Sequence, residues 1–307
     1  MQVFKNLMVS LDLTDMDDTL IKYSNFLAKT FRPDSITFIH VMEIVDIPDE
    51  LAEAFPDMDK PITEIVREEI QDRVDELFDS ATEVKHGVNI VVSHGSTTEG
   101  IVEFARKNKI DLALLGKKIG YEGEGGVARK IVGLIPSSVL LVSEISPQEV
   151  GKILVRMDFS AISSIALKTA LGIAEATGAE VNCHHVYKLP LNYFPQQSPA
   201  EVQRLKKRLS DYVQSSYKTF LNKYKIDAKA PCSFSMDLHG EEAQILYSQA
   251  IKTEADLILV GSKIKSQLAN VMLDSTSEKL AGANKSIPVM VVKDRKKSIG
   301  FLKALFD

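Results

Sequence analysis

The stretch ADLILVGSKIKSQLANVMLDSTSEKL, residues 255–280, decides how the chain is interpreted. It opens with a continuous apolar run, breaks at Gly261-Ser262, and resumes after Asp274-Ser275 as a predicted helix. Continuous runs of Leu, Ile and Val are typical of strands that are buried on both faces of a parallel sheet. A strand, a small-residue loop and a helix N-terminus are also the parts of a phosphate-binding site. The stretch therefore predicts an α/β fold and raises the question of whether it binds an anion.

The same arrangement occurs twice in the chain. Five segments of the first half recur in the same order in the second half, namely NLMVSLD (6–12) and KILVRMD (152–158), FIHVM (38–42) and NCHHVY (182–187), VVSHGSTTEGIVEFA (91–105) and SMDLHGEEAQILYSQA (235–250), KIDLALLG (109–116) and EADLILVG (254–261), and SSVLLVSE (137–144) and IPVMVVKD (287–294). The copies are offset by 145 or 146 residues as far as Gly116 and Gly261. After this pair, the distance to Val139 is five residues shorter than the distance to Val289. Because loops carry function on a fixed scaffold, this loop is where the halves are expected to differ.

Strands and helices alternate in each half of the predicted structure. This order predicts an α/β fold of two repeated doubly wound domains, each a five-stranded, mostly parallel sheet with helices on both faces. Two helix signals support it. Ser198 and Glu201 form a predicted capping box, and Gly178 is predicted to end the helix that precedes it in the chain.

Length and composition indicate an ordinary globular chain of two domains. From its 307 residues we expect a first domain at 1–147, a second at 148–293, and a tail at 294–307 that docks on its own protein or on a partner chain. The net charge of −5 argues against general nucleic-acid binding, and two cysteines fit a reducing cytoplasm. No apolar run approaches the roughly 18 residues of a membrane span. We therefore predict a cytoplasmic protein that binds neither nucleic acid nor a membrane.

The order and duplication of these motifs resemble a tandem universal stress protein. The features that carry the resemblance are Asp12 and Asp158 at the ends of the first strands, the HV pairs, the HG turns, and DLALLG or DLILVG. The resemblance implies an adenine-nucleotide alpha-hydrolase-like fold and ATP or another adenine nucleotide as ligand, with magnesium only as the nucleotide-bound ion. It further implies that Asp12 and Asp158 contact the adenosine and that the backbones of Val41 and Val186 lie beside the base. It also implies that the fifth strands pair edge to edge, giving an intramolecular pseudo-dimer and possible homodimers.

The loops after the fourth strands are expected to contact phosphates. ATP-binding members of the family carry Gly, two residues, Gly, nine residues and then Gly-Ser or Gly-Thr here, and the second half keeps this spacing with Ile264 and Asp274 in place of the second and third glycines. We expect the Asp274 carboxylate to fill the anion position at the helix N-terminus. The first half has a shorter, glycine-rich loop with Lys117 and Lys118, and is predicted to keep any phosphate site. The candidate residues are Gly116, Lys117, Gly120, Gly123, Gly125 and Gly126 in the first half and Gly261, Ser262 and Ser275 in the second half.

Known catalytic motifs are not found in the sequence. There is no P-loop and no G-x-S-x-G nucleophile elbow. The favoured interpretation is a stress-response protein that binds an adenine nucleotide or similar anion and acts through its conformation or partners rather than through catalysis. The alternative is a tandem scaffold that binds no nucleotide and works by protein–protein contacts. Weak ATP hydrolysis is a third possibility.

Several histidines and one acidic segment have two interpretations. His94 and His239 precede glycines, and we expect each to end a strand with a hydrogen-bonded ring rather than to donate protons to a ligand. On a strand, the side chains of Cys183 and His185 point to one face of the sheet and that of His184 points to the other. The three side chains cannot all face one ion, so no metal site is predicted there. The segment 47–64 is either a flap over the crevice of the first half or a solvated loop.

Overall fold

The structure is a computed structural model of the chain. It describes residues 4–43, 61–117, 126–188, 198–227, 230–262, 279, 286–294 and 298. Its strands are β1 (Asn6–Ser10), β2 (Ser35–Met42), β3 (Val88–His94), β4 (Leu112–Lys117), β5 (Ser138–Ser143), β6 (Lys152–Met157), β7 (Glu180–Lys188), β8 (Cys232–Asp237), β9 (Leu257–Gly261) and β10 (Val289–Val292). Its helices are α1 (Met16–Phe31), α2 (Ile62–Leu77), α3 (Thr97–Lys107), α4 (Gly126–Leu134), α5 (Ala161–Thr177), α6 (Pro199–Tyr224) and α7 (Glu242–Lys252).

The strands form one sheet in the order β3-β2-β1-β4-β5-β10-β9-β6-β7-β8. Neighbouring strands are parallel except at the centre, where β5 and β10 are antiparallel with Leu141 opposite Val289 and Val139 opposite Val291. Each half is therefore a five-stranded parallel sheet, and the fifth strands join the halves. The predicted fold class and the predicted pairing of the fifth strands are confirmed. The domain boundaries after residues 147 and 293 remain predictions.

Apolar side chains cover both faces of the sheet. Along β1, Leu7 and Val9 belong to one core layer, and Met8 between them belongs to the other. This follows from the alternation of side chains along a strand. Helices α1, α2, α5 and α6 contribute to the first layer, and α3, α4 and α7 contribute to the second. Because both faces are covered, the strands are continuous apolar runs, as the sequence indicated.

Capping residues place the start of α6 and the end of α5 where the sequence predicted them. The Ser198 side chain accepts from the backbone of Glu201, and the Glu201 side chain accepts from the backbone of Ser198, which completes the capping box at the start of α6. Gly178 ends α5 with φ +77°, a left-handed conformation that glycine adopts without steric cost. Both helix-end predictions are confirmed.

A buried lysine anchors the second half to the first. The ammonium group of Lys293, directly after β10, donates to the carbonyls of Val132, Gly133 and Ile135 at the end of α4, at 2.6 Å for Ile135. Its backbone N–H donates to Ser138 Oγ at 3.3 Å. Burial lowers the pKa of Lys293 to about 7, although a cation is favoured at a helix C-terminus. The side chain supplies donors that the end of α4 otherwise lacks.

We predict that Lys293→Met lowers the free energy of unfolding by about 1–3 kcal/mol, because buried carbonyls lose their donor. Methionine keeps an apolar stem of similar length, so the loss reports on the ammonium group. Urea unfolding followed by circular dichroism measures it. The control is Lys107→Met, which removes an exposed ion pair with Glu103 and should cost much less stability, because exposed pairs contribute little. Equal losses in the two variants would contradict the anchoring role.

A second prediction concerns the central strand pair. Residues 1–147 expressed alone leave β5 as an unpaired apolar edge, which is a template for pairing with another chain. We expect this fragment to dimerise or aggregate, while the full chain keeps β5 covered by β10. Size-exclusion chromatography with light scattering distinguishes the outcomes. A well-behaved monomeric fragment would show that β5 does not need β10.

Candidate functional site

The candidate sites lie at the carboxyl ends of the parallel strands. In each half the first strand is flanked by the second strand on one side and the fourth on the other, which is the switch point where open α/β sheets bind ligands. The first crevice lies beyond β1, β2 and β4, and the second lies beyond β6, β7 and β9. Because β5 and β10 are antiparallel, the two crevices open at opposite edges of the sheet.

The turn after the first strand has the same form in both halves. Leu13 and Phe159 adopt left-handed conformations with φ 60° and 58°, which are uncommon for residues other than glycine. Asp12 accepts from Thr14 Oγ1 at 2.5 Å, and Asp158 accepts from the amide and hydroxyl of Ser160 at 3.0 and 2.5 Å. One oxygen of each aspartate therefore holds the turn. The structure places both predicted residues at the crevices.

A histidine braces each of these turns from the second strand. His40 Nδ1 lies 3.0 Å from the carbonyl of Leu11, and His185 Nδ1 lies 2.7 Å from that of Met157. A neutral ring must carry its proton on Nδ1 to donate to these carbonyls. Burial lowers the pKa of His185, against the opposing effect of this bond. In the sequence, the recurrence of a histidine before valine in both halves was the available signal for this role.

The predicted base contacts lie past the paired part of the sheet. Pairing of β2 with β1 ends at Ile39, and pairing of β7 with β6 ends at His185. Val41 and Val186 lie beyond these residues in strands that continue to pair on their other side. Their backbones are therefore at the crevice edge without a neighbouring first strand, and their contact with a base remains a prediction.

The predicted loop glycines also serve packing. A Cβ at Gly116 would lie 2.7 Å from Met16 Cγ, and a Cβ at Gly261 would lie 3.0 Å from Ile162 Cγ1. These glycines let α1 and α5 pack closely on the strands. The backbone N–H of Ser262, a buried residue, donates to the carbonyl of Val292 at 2.9 Å.

The remaining predicted loop residues are only partly described. Lys117 ends β4 and is half-buried, and Gly126 begins α4. Outside the described residues lie Lys118, Gly120, Gly123, Gly125, Ile264, Asp274 and Ser275, together with residues 47–60 of the acidic segment and residues 295–297 and 299–307 of the tail.

A buried carboxylate in the first crevice was missed by the sequence analysis. Asp17, which is 1% exposed, accepts the backbone N–H groups of Asp12 at 3.0 Å and Leu13 at 2.8 Å. Arg73 of α2 lies 3.8 Å from Asp17 and donates to the Thr14 carbonyl at 3.1 Å. Burial raises the pKa of Asp17 to about 6, against the lowering effect of the backbone N–H groups and Arg73. The first turn is thus satisfied by an anion from its own chain.

The second half has no carboxylate at the equivalent position of the repeat. Ser163 stands there, and its hydroxyl donates back to the Ser160 carbonyl at 2.9 Å. This half instead has an ion pair beneath the crevice, with Arg156 Nε 2.7 Å from Glu242 Oε1 and both side chains largely buried. Ser10 occupies the position of Arg156 in the first half. The two crevices therefore share a backbone geometry but differ in charge.

The two HG turns keep their histidine rings in solvent. His94 ends β3 and is exposed, and His239 is exposed two residues after β8. The expected hydrogen bonds to their rings are not found within the described ranges. Asp237 instead accepts from the amides of His239, Gly240 and Glu241 at 3.0, 2.7 and 3.0 Å. Burial opposes ionisation of Asp237, but these amides hold its pKa below the usual range.

The run Cys183 to His185 points to both faces of β7, as predicted. Cys183 is in the first core layer. His184 Nδ1 lies 2.7 Å from Ser233 Oγ, and burial together with the nearby His185 lowers the pKa of His184 to about 4. Among the residues that the structure describes, no group of three or more His, Cys, Asp or Glu is placed to hold a metal. Over the same residues, no helix is long and apolar enough to cross a membrane.

Comparison with known proteins identifies both halves. A model of the universal stress protein family matches residues 4–143 and again 149–293. A functionally unknown protein from Pseudomonas aeruginosa PAO1 has 13% sequence identity and a TM-score of 0.69, over 99% of this chain and 97% of its own. A universal stress protein from Archaeoglobus fulgidus DSM 4304 has 16% identity and a TM-score of 0.62, over 94% of this chain and 98% of its own. These two solved structures show the fold alone.

One further solved structure contains a ligand. It is a universal stress protein in complex with cAMP, with 16% identity and a TM-score of 0.33, over 46% of this chain and 97% of its own. This likeness is too weak to assign a ligand to the present chain. No curated protein matches the chain.

We predict that Asp17→Asn changes the pH dependence of stability. The pKa of Asp17 is about 6 in the fold against an ordinary 3.8, so the folded state binds the extra proton between these values. As the pH falls from about 7 to about 4, the free energy of unfolding of the wild type should rise relative to the variant by about 1–3 kcal/mol.

Urea unfolding at several pH values measures this difference. The matched control is Asp15→Asn, which makes the same change at an exposed aspartate at the start of the same helix. A difference between wild type and Asp17→Asn that stays constant across the range would show that Asp17 is not held in a buried, proton-binding state.

Proposed function

The chain belongs to the universal stress protein family, with two universal stress domains in tandem, and on that premise we propose that it binds an adenine nucleotide or a similar anion. In this proposal the chain acts through its conformation or partners rather than through catalysis. The observation that carries it is the crevice geometry at both switch points. Each crevice combines an aspartate, a left-handed turn, a bracing histidine and a strand backbone that extends past its neighbour.

These parts suit the chemistry of an adenosine. A base can pair with the backbone N–H and carbonyl groups of a strand that projects beyond its neighbour, at Val41 or Val186. A ribose needs a hydrogen-bond acceptor for its hydroxyls, and the aspartates at residues 12 and 158 offer carboxylates at the rims. Asp12 is exposed, so a ligand can reach its carboxylate, whereas Asp158 is half-buried and its Oδ2 atom is buried. The histidine brace keeps the aspartate and the strand end in a fixed relation before a ligand arrives.

The phosphates are proposed to lie in the loops after the fourth strands. Charge favours the first half, where Lys117 precedes a glycine-rich stretch, over the second half, where Asp274 precedes the helix predicted from the sequence. The residues proposed to contact phosphate are those of the sequence analysis: Gly116, Lys117, Gly120, Gly123, Gly125 and Gly126 in the first half and Gly261, Ser262 and Ser275 in the second half. A carboxylate roughly 4 Å from a phosphate would add repulsion on the order of 1–4 kcal/mol, which is the basis for the preference.

A scaffold without a nucleotide is the second candidate, and two observations favour it. Asp17 occupies the amides of the first turn, and the Ser262 amide is bonded to Val292. Crevices whose backbone donors are satisfied internally have less to gain from an anion. In this alternative the continuous ten-stranded sheet serves as a rigid platform for protein–protein contacts.

Calorimetric titration with ATP distinguishes the candidates. We predict that the wild type binds ATP and that removing the ribose-binding aspartate weakens binding about 10- to 100-fold, the range expected for a lost hydrogen bond to a charged group. Asp12→Ala tests the first half and Asp158→Ala the second. The combined variant Lys117→Glu/Lys118→Glu tests the phosphate end of the first half and should also weaken binding.

Matched controls remove exposed aspartates that lie outside the proposed contacts. Asp15→Ala serves the first half and Asp211→Ala the second, and both should bind as the wild type does. The absence of ATP binding by the wild type would overturn the nucleotide proposal and leave the scaffold. Weakening by Asp158→Ala alone would move the site to the second half.

A further inference from the structure

The only two cysteines of the chain lie side by side in the sheet. Cys183 of β7 is the direct partner of Cys232 on the parallel neighbour β8. Adjacent strands are about 4.8 Å apart, which falls within the roughly 4.4–6.8 Å between Cα atoms that a disulfide spans. Cys183 is part of the first core layer and Cys232 packs against the same layer, so both side chains point to one face.

A tyrosine hydroxyl contacts the buried thiol of this pair. Tyr217 of α6 lies over this face, with its Oη 3.5 Å from Cys183 Sγ and 2.7 Å from the Ala230 carbonyl. Burial raises the pKa of Tyr217, and both cysteines raise it further. The Cys183 thiol and the Tyr217 hydroxyl therefore lie between the sheet and α6, on the face of the sheet against which Cys232 also packs. Both cysteines are free thiols in the structure.

We propose that Cys183 and Cys232 form a reversible dithiol–disulfide site whose oxidant is a low-molecular-weight disulfide. The sulfur of Cys232, the half-exposed residue of the pair, attacks one sulfur of the oxidant and forms a mixed disulfide. The other half of the oxidant leaves as a thiol with the proton of Cys232. The sulfur of Cys183 then attacks the Cys232 sulfur, and the second half of the oxidant leaves with the proton of Cys183. Two protein thiols are oxidised and one disulfide is reduced to two thiols.

The fold makes this reaction slow until the edge of the sheet opens. Burial raises the pKa of Cys183 to about 11 and also raises the pKa of Cys232, so little of the reactive thiolate is present near neutral pH. However, β8 is an outer strand of the sheet, with β7 as its neighbour on one side. Outer elements open locally more easily than the core, and opening of β8 would expose the thiols to water and to the oxidant. Oxidation therefore depends jointly on the oxidant and on conditions that loosen β8.

The cross-link would join the outer strand to the strand that forms the second crevice. β7 carries Cys183, and the bracing His185 and the proposed base contact Val186 follow within three residues. A disulfide would also remove the thiol that Tyr217 contacts. The redox state of the pair is thus connected, through one strand, to the geometry of the second crevice.

Thiol mapping of the full-length protein tests the proposal. The protein is incubated with oxidised glutathione at two temperatures below its unfolding transition, with circular dichroism showing that it stays folded, and is then alkylated and analysed by mass spectrometry. We expect the wild type to lose two hydrogen atoms and both alkylation sites, to yield one cross-linked peptide pair, and to be restored by dithiothreitol. We also expect faster oxidation at the higher temperature and a higher melting temperature after oxidation.

Three variants make the outcome specific. Cys232→Ser should keep one thiol and form no internal cross-link, and Cys183→Ala should stop at a glutathione adduct on Cys232. Tyr217→Phe, which keeps both cysteines and removes only the hydroxyl, should still form the cross-link. A wild type that stops at a glutathione adduct, links two chains, or keeps both thiols at both temperatures would overturn the proposal.

Discussion

The antiparallel contact between β5 and β10 is the interaction on which the rest of the molecule depends. Each half ends its sheet with an apolar strand, and such a strand is stable only when a partner covers its edge. The repeat provides each fifth strand with a partner of the same kind, so that Val139 and Leu141 lie opposite Val291 and Val289. Lys293 extends the contact by supplying donors to the end of a helix in the other half. Two incomplete sheets thereby become one continuous sheet.

This contact also determines how the two crevices are related. Because the central strands run in opposite directions, the carboxyl ends of the two half-sheets lie at opposite edges of the whole sheet. A ligand in one crevice cannot touch a ligand in the other, and any communication has to pass through the strands and the β5–β10 contact. The duplicated chain therefore has two separate crevices on one continuous sheet, and the side chains around each could change independently.

The two crevices share their backbone geometry but differ in the charged side chains around them. Both keep the left-handed turn and the histidine brace, since these are made by local backbone geometry and one long-range hydrogen bond. The charges around the turn differ, with Asp17 and Arg73 in the first half and the Arg156–Glu242 pair in the second. A buried carboxylate that satisfies the turn from within and a buried ion pair beneath the crevice impose different electrostatic environments on any ligand. The thiol pair on β7 and β8 belongs to the second half alone.

The sequence by itself determined the fold class, the duplication, the capping of α5 and α6, and the pairing of the fifth strands implied by the family resemblance. Apolar runs, cap residues and motif order express local preferences and a small set of topological rules, so they can be recognised without coordinates. The tertiary structure alone decided which side chains meet. Asp17 is one of several aspartates in the run TDMDD, and only the helical phase of α1 turns it inward toward two amides and toward Arg73, which lies 56 residues later. Cys183 and Cys232 become neighbours only through the register of β7 and β8, and Lys293 reaches α4 only because the two halves join. Register and helix orientation are set by the packing of the whole core, which no short stretch of sequence contains.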